Sequence, residues 1–317
     1  MSTEPVRVER HDATQVALRA AIEQVNQVVF GKRAQINLGF ACLLAGGHLL
    51  IEDVPGVGKT TLAHAMATSL GLSYQRIQFT SDLLPSDILG VSIFDRDTGQ
   101  FRFHAGPIFA QLVLADEINR ATPKTQSALL EAMAEQQVTA DGESRPLPQP
   151  FLVVATQNPV DLAGTFPLPD SQLDRFLMRI SLGYPDAEGE RQMLAASDRR
   201  ELLTQLGARL DSAQMLEIRR RVAHITTSAA LIDYVQRLLA ATRSHAQIRT
   251  GLSPRAGLAL LAAARAVSYL AGRAFVLPED VQTVFGAVAA HRLVPAAEAL
   301  LNRDALAADV VKSVRVD

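Results

Sequence analysis

Cysteine is almost missing from this sequence: Cys42 stands alone in 317 residues. That excludes a disulfide framework and a thiolate metal cluster. The seven histidines are scattered, with no close pair at helical ligand spacing, so a histidine metal centre is not expected either. Charge of one sign is lacking too. Lys and Arg number 31 against 33 Asp and Glu, giving a net charge of −2 and a pI near 6.4. No bulk electrostatic footprint therefore favours nucleic acid or an anionic membrane. Long hydrophobic runs are also absent. Leu38–Ile51 is broken by Gly46-Gly47 and Gly257–Gly272 carries Arg265, so neither is expected to span a bilayer. Met1–Asp12 is polar and mixed in charge, unlike a secretory signal. With 48% hydrophobic and 20% charged residues, the expectation is an ordinary globular chain in the cytoplasm, long enough for two domains.

What is present centres on Glu52-Asp53-Val54-Pro55-Gly56-Val57-Gly58-Lys59-Thr60-Thr61. An apolar run, Leu49–Ile51, precedes it and a helical pattern, Leu62–Ala67, follows. Strand, glycine-containing loop, Gly-Lys-Thr and helix make up a phosphate-binding P-loop. Gly56 and Gly58 let backbone N–H groups turn inward around a triphosphate, and the helix starting near Lys59 points its positive end at the same anion. Lys59 can reach the β and γ phosphates, and the Thr60 hydroxyl can hold Mg²⁺. The general pattern opens with Gly where this chain has Asp53.

Further along, Tyr74–Phe79, Leu112–Glu117, Phe151–Thr156 and Arg175–Ile180 read as strands that join the P-loop strand. Leu112–Glu117 ends in two acids, a Walker B pattern. Asp116 would complete the Mg²⁺ shell and Glu117 would polarise an attacking water. Phe151–Thr156 runs into Gln157-Asn158-Pro159, which places the Asn158 amide beside the P-loop strand. Two hairpin signals interrupt the βα units, at 91–103 and at 137–147, and such insertions often carry function. Two helices flank Val28–Lys32, a turn placed to line an adenine pocket with Val29 and Phe30. After Tyr184 the pattern is helical with no convincing strand: Glu188–Ser197, Ser212–Ala223, Ser228–Ser244, Ser253–Ala271 and Pro278–Ala290. Ser253-Pro254 reads as a helix start, which fixes Arg255 on a first turn. A boundary near Tyr184 divides an α/β nucleotide-binding domain, 1–184, from a helical domain, 185–317.

The order P-loop, Asp116-Glu117, Asn158, Arg175, Arg255 resembles the AAA+ ATPases. More narrowly, it resembles the MoxR family, through Glu52–Thr60, Ala115–Arg120, Ala155–Pro159, Gly164–Pro169, Gln172–Phe176 and Gly251–Ala256. Asp53 in place of the leading glycine is typical of that family. The resemblance implies a P-loop core with a five-stranded parallel sheet covered by helices, plus a C-terminal all-α lid. It implies Mg-ATP held by Lys59, Thr60 and Asp116, with Glu117 as catalytic base and Asn158 as sensor 1. Arg175 would be an arginine finger on the neighbouring subunit's ATP. Arg255 would be sensor 2, reaching from the lid to the γ-phosphate of its own subunit. The hairpins match the helix-2 and pre-sensor-1 inserts. The family is similar to ring-forming, typically hexameric chaperones that act with a von Willebrand factor A-domain protein on protein clients. A magnesium-chelatase-like motor or a nucleic-acid remodelling ATPase shares the core motifs, and near-neutral charge argues against the second. Intact Glu117, Asn158 and Arg175 argue against a scaffold that binds nucleotide without hydrolysing it.

Overall fold

The computed structural model describes residues 5–159, 164–195, 199–296 and 302–316. The first four residues of the polar N-terminal stretch, and the last two of the expected helix 188–197, lie outside these. Two helices, α1 (Pro5–Asn26) and α2 (Arg33–Leu44), lead into β1 (Leu49–Glu52), and the P-loop connects β1 to α3 (Lys59–Ser69). After β2 (Tyr74–Gln78) and the short α4 (Pro85–Leu89) comes the hairpin β3 (Gly90–Asp95) and β4 (Gln100–Ala105). Then follow β5 (Leu112–Asp116), α5 (Pro123–Glu135), the hairpin β6 (Gln137–Ala140) and β7 (Glu143–Pro146), and β8 (Leu152–Gln157). A one-turn helix α6 (Asp170–Leu173) precedes β9 (Met178–Ile180).

Strands β2, β5, β8, β1 and β9 form one sheet in that order, and all its neighbours are parallel. Leu50 pairs with Ala155, and Ala155 in turn pairs with Ala115, so the three central strands are level with one another. Both faces are covered, which is why these strands are continuous apolar runs rather than alternating ones. Side chains still divide by period two. Leu49, Ile51, Leu112, Leu114, Leu152 and Val154 face one core; Leu50, Val113, Ala115, Val153 and Ala155 face the other.

The remaining elements are α7 (Ala187–Ala195), α8 (Arg199–Thr204), α9 (Ser212–Ala223), α10 (Ala229–Ser244), α11 (Pro254–Leu270), α12 (Pro278–Ala289) and α13 (Arg303–Ser313). The lid is helical, with one addition that hydrophobic periodicity did not signal. Strands β10 (Ile248–Thr250) and β11 (Val294–Pro295) pair antiparallel, too short to show a pattern. Residues of α9–α13 share one continuous apolar core with α1, α2, α3 and one sheet face. A division near Tyr184 would therefore mark a change in chain pattern without a break in packing. Arg292 secures the junction: it donates to the Asp174 carboxylate at 2.7 Å and to the carbonyls of Phe176 and Leu177 at 2.7 and 3.1 Å.

His48, at the start of β1, is buried between layers. Its Nδ1 accepts from the Val153 N–H at 3.0 Å, so Nε2 carries the proton that it donates to the Met133 carbonyl at 3.3 Å. Desolvation lowers its pKa to about 4, with Arg219 adding in the same direction. Protonation is thus easier in the unfolded chain. Stability is full above pH 6.5 and is lost as pH falls toward 4. Between pH 7 and 5 this one group should cost about 2 kcal/mol of unfolding free energy. Urea titrations at both values, on the parent and on His48→Gln, measure it: the variant should show the shallower pH slope, and equal slopes would remove His48 from the account.

Candidate active site

At the carboxyl edge of β1 the chain turns through the P-loop. Gly56 and Gly58 have φ of +84° and +96°, in the left-handed region that favours glycine. A Cβ built on either would meet nothing within 4 Å, so the loop's mouth is open. Gly58 also caps the N-terminus of α3, where the free N–H groups and the positive end of the helix favour an anion. Lys59 turns back over the loop, donating to the Asp53 carbonyl at 2.5 Å and to the Gln157 carbonyl at 3.4 Å. Partial burial lowers its pKa, against the opposing pull of Asp53, Asp116, Glu117 and Glu52.

Asp53, expected among the nucleotide-binding residues of the loop, is held by bonds within the chain. Its carboxylate accepts from the Val54 N–H at 2.8 Å, the Gly183 N–H at 2.6 Å and the Ser181 hydroxyl at 3.0 Å. These bonds tie the first residue of the loop to the chain leaving β9. The side chain braces the cradle, and only the carbonyl of Asp53 faces Lys59. Pro55 and Val57 lie in the turn of the loop, and Thr61 sits on the first turn of α3. Val57, Gly58 and Thr61 line a small cleft with Val28, Val29, Phe30, Lys32, Pro185 and Met193, where an adenine ring was expected.

The acids stand on the same edge. Thr156, fully buried at the end of β8, donates to Asp116 Oδ1 at 2.6 Å and accepts from the Glu117 N–H at 2.9 Å. Glu117 has φ +57°, a conformation that costs a non-glycine residue about 1–3 kcal/mol, and the Thr156 bond helps to hold it there. Thr60 Oγ1 lies 3.5 Å from Asp116 Oδ2. One hydroxyl and one carboxylate are the hard oxygen donors that suit Mg²⁺, which takes few protein ligands when it arrives with phosphates. The residues thus fit a magnesium nucleotide.

Several contributors escaped the sequence reading. Arg76 on β2 donates to Asp116 Oδ2 at 2.7 and 3.0 Å, and Gln78 holds Glu117 Oε2 at 3.0 Å, with Arg120 on the same oxygen at 3.0 Å. The available signal was register. Arg76 and Gln78 are polar residues on a strand beside the acid-ending one, with Gln78 opposite Asp116. Glu52 pairs with Arg179 at 2.5 Å and accepts from Gln157 at 2.8 Å, next to Asn158; Arg179 also reaches Asp304 of α13 at 2.5 Å.

The two arginines are elsewhere. Arg175, exposed and donating to the Leu130 carbonyl at 2.7 Å, precedes β9 on the edge where the strands begin. Arg255, on the first turn of α11 behind the Ser253 cap, lines a cleft of about 270 Å³ with Arg175, Gly46, Gly47 and His48. Four residues of β1 alone set this edge roughly 13 Å from the P-loop. The expectation that Arg255 reaches its own subunit's γ-phosphate is therefore corrected. It joins Arg175 at the opposite edge, where α11 packs on α2.

A P-loop beside a strand ending in Asp-Glu, on a five-stranded parallel sheet with a helical lid, defines the AAA class of ATPases. Residues 48–178 match the ATPase family associated with various cellular activities (AAA), and residues 240–313 match the AAA lid domain. YeaC of Bacillus subtilis is 42% identical over 94% of this chain and 94% of its own. Chaperone MoxR1 of Mycobacterium tuberculosis is 40% identical over 95% of this chain and 80% of its own. The crystal structure of a Cytophaga hutchinsonii protein taken to be an ATPase superposes with a TM-score of 0.88, at 36% identity and 98% coverage of both chains. The chain belongs to the MoxR family of AAA+ ATPases.

Replacing Asp53 tests the brace. Asp53→Ala leaves three donors without their charged acceptor and should lower the unfolding free energy by about 2–4 kcal/mol in urea. A variant as stable as the parent would show that these three bonds do not brace the loop.

Proposed function

We propose that this chain hydrolyses Mg-ATP in a ring whose sites are completed by the neighbouring subunit, and that it couples turnover to remodelling of protein clients. One observation carries the reading: the P-loop with Asp116 and Glu117 lies on one sheet edge, while Arg175 and Arg255 share the other. Neither arginine serves its own P-loop, so a head-to-tail contact is what would bring the two halves together. In this reading Lys59 neutralises the phosphates, while Thr60 and Asp116 hold the metal that supplies Lewis acidity. Glu117 orients the attacking water, and Asn158 positions it from the tip of β8. Arg175 and Arg255 stabilise charge developing across the interface.

Mixing variants tests the trans assignment. Lys59→Ala should lose nucleotide binding, and Arg175→Ala should bind ATP but hydrolyse it poorly, since such arginines are worth roughly 10³–10⁵ in rate in related enzymes. Mixed together, the two should recover part of the activity, because some interfaces then pair an intact loop with an intact finger. Two inactive variants that co-assemble without any recovery would end the trans reading.

Client handling is assigned to the hairpins, with a von Willebrand factor A-domain protein as the partner class. Phe94 and Phe101 stack edge to face at 5.3 Å while remaining 51% and 74% exposed, so this pair does not serve the chain's own core. Phe103, by contrast, packs on Phe109 and under Arg145 of β7, whose guanidinium carbon lies 3.9 Å from the ring centroid. Phe94→Ser with Phe101→Ser should leave the thermal midpoint and basal ATPase near parent values. ATP-dependent suppression of aggregation of a heat-unfolded reporter protein should fall. A large drop in midpoint would show that the pair is structural after all.

A further inference from the structure

Arg76 stands outside every sequence motif of the nucleotide edge, yet it occupies the atom on which that edge turns. Its Nε and one Nη both donate to Asp116 Oδ2, at 3.0 and 2.7 Å. The other carboxylate oxygen, Oδ1, is locked to Thr156 at 2.6 Å. Oδ2 is also the oxygen that faces the Thr60 hydroxyl, at 3.5 Å. Asp116 therefore offers one oxygen toward Thr60, and a guanidinium already holds it.

We propose that Arg76 competes with the divalent cation for Asp116 Oδ2 and so sets how much metal nucleotide binding requires. The inference rests on the Mg-ATP reading above. Two cations on one carboxylate oxygen repel each other, so the metal gains Oδ2 only as Arg76 leaves it. The side chains are built for that exchange. Asp116 is 9% exposed and cannot follow, whereas Arg76 is 49% exposed and can swing into water at small cost. Gln78, two residues on and on the same side of β2, accepts from Arg76 at 2.7 Å and gives the displaced group a second anchor. Until the metal arrives, the guanidinium compensates a carboxylate whose burial would otherwise be unfavourable.

The test uses the full chain and a fluorescent N-methylanthraniloyl ATP analogue, titrated with MgCl₂ at fixed nucleotide. Arg76→Gln should reach half-saturation at roughly three- to tenfold lower Mg²⁺ than the parent, the scale of one partly exposed ion pair. Arg76→Lys, with one compact charge in place of the fork, should fall between them. At saturating Mg²⁺ all three should bind the analogue equally within about twofold, the margin expected if Arg76 lies off the phosphates. An unchanged or higher Mg²⁺ requirement overturns the proposal. So does weakened binding at saturating Mg²⁺, which would put Arg76 on the phosphates. Should Arg76→Gln fail to fold, the Arg76→Lys titration decides alone. A parent that binds no nucleotide at any Mg²⁺ concentration would instead sink the nucleotide reading beneath it.

Discussion

The hydroxyl of Thr156 donates to Asp116 and accepts from the backbone of Glu117, and the chemistry of the whole edge depends on it. Asp116 is the last residue of its strand and Glu117 the first beyond it, a place where backbone is usually free to wander. A single buried group on the adjacent strand fixes one carboxylate and one strained backbone together. It can do so only because β5 and β8 are level, with Ala115 opposite Ala155. Sheet register thereby becomes site geometry: a one-residue slip would turn Thr156 to the other face and release both acids.

The same parallel register gives the molecule two chemically different ends. Helix N-termini and the loop after β1 gather at the carboxyl edge, where anions are favoured, as in open α/β sheets generally. The opposite edge gathers arginines instead, held by Leu130 in one case and by the first turn of α11 in the other. Asp53 belongs to this economy of placement. In a generic P-loop its position needs no side chain, but here the chain leaving β9 passes close by, and the carboxylate fastens the two.

Much of this was legible in the sequence, and the reason is locality. The P-loop, the acids after Leu112–Ala115 and the Ser253-Pro254 helix start are each written in a few consecutive residues. So were the five strands of the parallel sheet. The residues that escaped depend on who lies beside whom. Arg76 and Gln78 look like ordinary polar strand residues until β2 is placed next to β5. The location of Arg255 could be read to the turn of its helix but not to the edge of the sheet, because that depends on how the lid packs. Strands β10 and β11 are only three and two residues long and meet across more than forty residues of chain. No periodicity can show such a pair.

The lid and one face of the sheet share a single apolar core, so the edge with the P-loop and the edge with the arginines are tied through common packing. The angle between those edges is therefore built in by packing rather than chosen at assembly. A head-to-tail contact repeats that angle at every subunit: if the turns sum to a full circle the chain closes, and if they do not it winds into an open filament. Ring size in such a protein is a question of arithmetic on one rotation. In the proposed ring, substitutions in the core beneath α12 would alter the count by tilting one edge against the other.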